Sequence, residues 1–233
     1  MKQTDPLEMF NAKYRKKKIT NLIISFVTVM MATYALTYIF TREDGGVMTF
    51  RWLTVDGTIF TTFLTAIAIV VNIVEYERYT ELTKTFVYLI RLSSAITEGI
   101  IFIVVMISQL PCFEDHMHLI RPDMLMMHVL IPILTIVSFI FNDSPIGKFR
   151  LRWVLAGNAY ALTYTVIVIT LIATGVITQD KIPYFFLDIR QTGIPTVLLC
   201  AAAIFCIGMG LCYALVELNR RLYWRTLSIK DSK

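Results

Sequence analysis

Charge is scarce in this chain: 17% of its 233 residues are Asp, Glu, Lys or Arg, against 56% hydrophobic. That balance excludes an ordinary soluble domain. Cysteine is sparse too, with four residues and no C-x-x-C pair, so the sequence encodes neither a disulfide framework nor a cysteine zinc site. Cys200, Cys206 and Cys212 recur six apart, a spacing that does not stack side chains on one helical face. With Cys112 they read as small apolar packing residues. Gly/Ser linkers, low-complexity tracts and convincing internal repeats are absent, which argues for one domain over residues 1–233. Histidine is limited to three residues.

What the chain has instead is long apolar runs, and its mean hydropathy is +0.65. A membrane crossing takes about 20 mostly apolar residues, and six stretches qualify: 19–40, 52–74, 92–110, 124–141, 153–177 and 192–216. The expected fold is therefore all-α, a polytopic membrane protein of six transmembrane helices. The basic segment Lys13 to Lys18 before the first run superficially resembles a signal peptide. The run is too long for that and lacks a small-residue cleavage site, so it is expected to stay as a helix. The cluster from Asn142 to Gly147 forms a turn between the fourth and fifth runs.

Alternate sides of this map differ sharply in charge, with 17 of the 22 Lys and Arg residues on the side of both termini. The other side holds Arg42, Arg51, Arg121, Lys181 and Arg190. Both termini are therefore expected in the cytoplasm. A net charge of +5 distributed this way is accounted for by topology and anionic headgroups, leaving no case for nucleic-acid binding. In the last run Gly208, Gly210 and Ala201 to Ala203 suggest a packing helix. Met124, Met126 and Met127 suit adaptable core filler or the wall of an acyl-chain site.

Polar side chains at membrane depth are costly and rare here. Thr54 lies three residues beyond Arg51 on the second run, roughly 4.5 Å deep. His128 lies five residues beyond Asp123 on the fourth, about 7.5 Å deep. Both runs travel inward, so the two side chains are expected to meet in the outer leaflet. A neutral imidazole can take a proton from a hydroxyl, and a hydroxyl so activated attacks an ester carbonyl. Thr54 and His128 have the types for nucleophile and base. In membrane helices a Thr more often bonds its own preceding backbone carbonyl, and a lone His more often makes a polar packing contact, than either serves catalysis.

Four further features carry alternatives. Asp56 does not share a helical face with Thr54 and is either a partner for Arg51 or a catalytic acid. Asp188 either orients His128, as the third member of a triad does, or caps the last helix. Glu98, towards the bilayer centre, is expected to be protonated and bonded to Thr61, Thr62 or Thr65. The outer segment Glu114-Asp115-His116-Met117-His118 has metal-ligand types at an unspecific spacing and reads first as a solvated loop. No cofactor motif is present.

Several stretches resemble one family: Phe50-Arg51-Trp52-Leu53-Thr54, His128 with Pro132, Gly147-Lys148-Phe149-Arg150-Leu151-Arg152-Trp153, and Pro183-Tyr184-Phe185-Phe186-Leu187-Asp188. Their order and spacing resemble the androgen-induced integral membrane hydrolases, threonine-dependent enzymes that cleave fatty acid esters of hydroxy fatty acids, and their bacterial six-helix relatives. The resemblance implies Thr54 as nucleophile, His128 as its partner, a fatty-acyl ester substrate and a bacterial plasma membrane location. The chain differs from many bacterial relatives at Gly57-Thr58, where they carry Ser-Asn, and in lacking an acid near Ser138. Two other functions fit the same residues: a non-enzymatic lipid-binding or transport protein, and a metal-dependent hydrolase using the outer His pair.

Overall fold

A computed structural model of the chain describes residues 6–41, 49–50, 52–78, 84–109, 121–146 and 149–227. All regular elements among them are helical. Six helices are long and apolar enough to cross a membrane, as expected. They are α1 (Pro6–Phe40), α2 (Leu53–Arg78), α3 (Lys84–Val104, continued by the π turn Val105–Gln109), α4 (Pro122–Asn142), α5 (Arg152–Ala173) and α6 (Ile189–Leu227).

The boundaries move where polar residues continue a helix or a glycine ends one. α1 begins at Pro6 rather than near 19, because the basic segment is helical and its long side chains find partners. Lys17 donates to the Phe141 carbonyl at 2.6 Å and Lys18 to Asn72 at 3.2 Å. α5 stops at Ala173, short of 177. Gly175 takes the left-handed conformation, with φ 78°, and the N–H groups of Gly175 and Ile177 return to Ile172 and Leu171. α6 runs on to Leu227, past 216, and Glu217 there binds Arg220 and Arg221. Its first turn is offset from the rest at Gly193, φ 77°, just before Pro195.

α1, α2, α3 and α4 form a ring in which each helix packs along two neighbours, and α2 also meets α4 at the turn Met126–Leu130; α5 and α6 pack outside it against α3, and α6 also meets α4. α3 is the most buried span and α6 the least. α6 nonetheless meets α3, α4 and α5, and its small residues are expected to serve that close packing. Gly208 alone serves that purpose, since a Cβ there would strike the Asn158 side chain, while Gly210 faces open space and Ala202 and Ala203 are exposed. A second close approach is at Gly157 of α5, where a Cβ would strike Ile96 of α3.

The ring is polar inside and apolar outside. Thr54, Thr58, Thr61 and Thr65 follow one stripe of α2 at helical spacing and are all buried. Asn21, Ser25 and Thr28 of α1, Arg91, Ser94 and Glu98 of α3, and Thr135, Ser138 and Asn142 of α4 are buried likewise. Phe26, Met30, Phe63 and Leu199 face outward. A surface of that kind is stable in hydrocarbon, where each exposed polar group would cost several kcal/mol, on the order of the unsatisfied-group penalty.

Candidate active site

Pro122 opens α4, and Asp123 in its first turn is fully buried against Arg121, at 2.8 and 3.2 Å. Pro132 has no N–H to give the carbonyl four residues back, which is that of His128. The helix widens just before it into the π turn Met126–Leu130, with the Ile131 N–H returning to Met126. Met127 and His128 are the buried residues of that turn.

On α2 the Trp52 carbonyl receives the N–H groups of Val55 and Asp56, at 3.1 and 3.2 Å. Leu53 and Thr54 thus occupy the first helical turn, where N–H groups have no intrahelical acceptor.

The structure brings the two expected side chains together: Thr54 Oγ1 lies 3.2 Å from His128 Nε2. Each residue is 6% exposed. His128 Nδ1 lies 3.0 Å from the Met124 carbonyl. A carbonyl oxygen only accepts, so Nδ1 carries the hydrogen, and in the neutral ring Nε2 is left as an acceptor for the Thr54 hydroxyl. The group that orients the imidazole is therefore the Met124 carbonyl and not Asp188. Asp188 is the helix cap instead, accepting the N–H groups of Arg190 and Gln191 at 3.0 and 3.3 Å and the Gln179 amide at 3.4 Å.

A third member of the site is Tyr184, which the sequence reading treated only as an interface aromatic within a matching stretch. Its buried hydroxyl faces the Thr54 side chain and the main chain of Leu53 and Thr54 at the start of α2. Burial pushes the phenol up to about 12, against the opposing pull of Thr54 and Leu53. Trp52 meets the Tyr184 ring edge-on at 5.6 Å and Phe186 stacks on it at 5.2 Å, which fixes its position. The signal that could have found it was the need for a donor beside Thr54 at the outer end of the bundle. Ala35, Val55 and Met127, flanked by Leu36, Ile39 and Met126, form an apolar cluster next to the pair.

The remaining candidates stay apart. Asp56 acts on Tyr160, Tyr164 and Tyr184 rather than on His128. Its suggested partner Arg51 lies outside the described residues, as do Cys112 and the segment Glu114 to His118. Glu98 faces Thr61, yet neither makes a hydrogen bond. Of the three expected threonines Glu98 faces Thr61, while Thr62 bonds its own helix and Thr65 bonds Arg91. Among the described residues no three His, Cys, Asp or Glu side chains converge as metal ligands. No known family model, curated protein or solved structure matches this chain.

Proposed function

We propose that this chain is an intramembrane lipid ester hydrolase acting on fatty-acyl esters, as its resemblance to the androgen-induced-type threonine hydrolases implies. The observation that carries the reading is the directed chain from the Met124 carbonyl through His128 to Thr54, with the acceptor nitrogen turned to the hydroxyl. Thr54 Oγ attacks the ester carbonyl carbon while His128 Nε2 takes its proton. The carbonyl electron pair moves onto oxygen. The Tyr184 phenol, beside Thr54, is the donor for that oxyanion. Collapse breaks the bond to the alcohol oxygen, which leaves with the proton from His128, and the acyl group remains on Thr54. Water then attacks the acyl carbon with His128 again as base, releasing the fatty acid and restoring the hydroxyl.

The acyl chain would lie along Ala35, Val55 and Met127, with membrane lipid as the surrounding medium. The excess of Lys and Arg on one side supports cytoplasmic termini and a site in the outer leaflet, and the resemblance implies a bacterial plasma membrane. Covalent labelling by a fluorophosphonate probe tests the mechanism. Thr54→Ala and His128→Ala should each abolish labelling in protein that remains folded. Labelling of His128→Ala at wild-type intensity rejects the proton-shuttle role, and a wild-type protein that never labels favours lipid binding or transport without chemistry.

A further inference from the structure

A Thr hydroxyl in a membrane helix ordinarily donates to the carbonyl one turn before it. Thr33, Thr62, Thr163 and Thr170 do so here, at 2.6 to 2.8 Å. The hydroxyls of Ser25, Thr58, Thr61, Thr97 and Thr135 do not, and neither do they bond anything else in the protein. Both oxygens of Glu98 are unbonded as well. All six residues are at most 1% exposed.

Counting along the helices puts these groups at about one level of the ring, where Glu98 faces Thr61. The level below it is fixed by hydrogen bonds: Ser138 of α4 bonds Asn21 of α1 at 2.7 Å, and Arg91 of α3 reaches Ser138 at 2.8 Å, Thr65 of α2 at 3.5 Å and Asp143 at 3.1 Å. Ser25, Thr61 and Thr135 follow or precede Asn21, Thr65 and Ser138 by one turn in the outward direction, about 4.5 to 6 Å. Glu98 stands two turns along α3 from the Arg91 backbone, about 10.5 Å, part of which the Arg91 side chain spans. Each helix of the ring thus contributes one unpartnered oxygen-bearing side chain at a common depth. Thr58 and Thr97 lie next in the outward direction, Thr97 packing against Gly57.

No cationic side chain serves this level among the described residues. Arg91 is paired with Asp143, Lys18 with Asn72, and His128 is engaged by Thr54 and Met124. Asp56 and Tyr160, the nearest titratable groups from α2 and α5, add no positive charge. An unpaired polar group this deep is expensive to keep. The ligand chemistry is uniform: one carboxylate and several hydroxyls, all hard oxygens without nitrogen or sulfur, which suits a hard cation. A single carboxylate is neutralised by a single positive charge.

We propose that Glu98, with the hydroxyls of Ser25, Thr61 and Thr135, binds one sodium ion at the centre of the four-helix ring, water completing its coordination. The ion ties α1, α2, α3 and α4 together beneath the Thr54–His128 pair. This site stands independently of the hydrolase reading. The test is the unfolding midpoint of the full-length protein in detergent, followed in sodium chloride and in choline chloride at equal ionic strength. Sodium at ten times its dissociation constant should raise the midpoint by roughly 3 to 6 °C over choline. Glu98→Gln should lose that difference, and Thr33→Val, on the outer surface, should keep it. Thr135→Val should need more sodium for half the effect, which keeps the proposal open to test if Glu98→Gln does not fold. Equal midpoints in the two salts, a sodium response retained by Glu98→Gln, or a response to pH alone that Glu98→Gln removes would each overturn the sodium site.

Discussion

Arg91 and Asp143 form an ion pair of 3.1 Å in which the arginine is 2% exposed, and the pair closes the polar interior of the helix ring at its inner end. Arg91 also donates to Thr65 of α2 and Ser138 of α4. Asn21 adds a bond to Asp143, and Asn219 of α6 bonds the carbonyls of Phe139, Ile140 and Asp143. The end of α4 is therefore held by three helices, α1, α3 and α6. Removing one charge leaves the other buried without a partner, which costs about 3 to 5 kcal/mol in proteins generally. Asp143→Ala is expected to destabilise the protein by about that amount. Urea or thermal unfolding in detergent checks it, and a loss under about 1 kcal/mol would mean that the pair is solvated.

Glycine at 157 is expected to be irreplaceable in a different way. A Cβ there would strike the Ile96 side chain between α3 and α5. Gly157→Ala should lower stability by about 1 to 3 kcal/mol through overpacking, and Ile96→Val in the same chain should recover part of it. Gly210→Ala, at an open position, is the matched control and should be neutral. Equal losses at both positions would place the effect in the helix backbone rather than in the contact.

The sequence made the six spans legible because hydropathy reports what faces lipid, and it made the Thr54–His128 pair legible because depth along two parallel helices can be counted from their ends. Tyr184 was not legible in the same way: its contact with Thr54 depends on how the segment between α5 and α6 folds back over the start of α2, which no periodicity encodes. Asp188 was ambiguous for the same reason, a carboxylate at a helix entrance being equally suited to capping and to reaching across. The length of α6 was hidden because its last turns are polar and stabilised by Glu217 with Arg220 and Arg221, outside what an apolar window detects.

Pro132 is expected to act on the site through geometry. By withholding an N–H from the His128 carbonyl it accompanies the π turn that buries His128 together with Met127. Pro132→Ala permits the regular helix, which should turn the ring away from Thr54. Probe labelling should slow at least tenfold while the unfolding midpoint holds or rises. Unchanged labelling would show that the π turn is maintained by packing alone.

Tyr184 should control rate without controlling the fold. Tyr184→Phe keeps the ring contacts with Trp52 and Phe186 and removes only the hydroxyl. If the phenol stabilises the oxyanion, hydrolysis of a fatty-acyl ester should fall roughly 100- to 1,000-fold, with KM little changed. The phenol, pushed up to about 12, holds its proton well above the ordinary tyrosine range, so the donor survives in mildly alkaline solution. The wild-type rate should therefore show no falling limb near pH 10. A KM effect alone would reassign Tyr184 to substrate binding.

The identity of the nucleophile is tested by keeping or removing one oxygen. Thr54→Ser retains a hydroxyl beside His128 Nε2 and should label and turn over, with a rate reduced because the lost methyl no longer restricts the side-chain rotamer. Thr54→Val is nearly the same size as threonine, fills the same space against α4 and cannot react. It should be folded and silent towards both probe and ester. A Thr54→Val protein that still labels would move the nucleophile elsewhere in the chain, because no other hydroxyl atom at that position would then be available to attack.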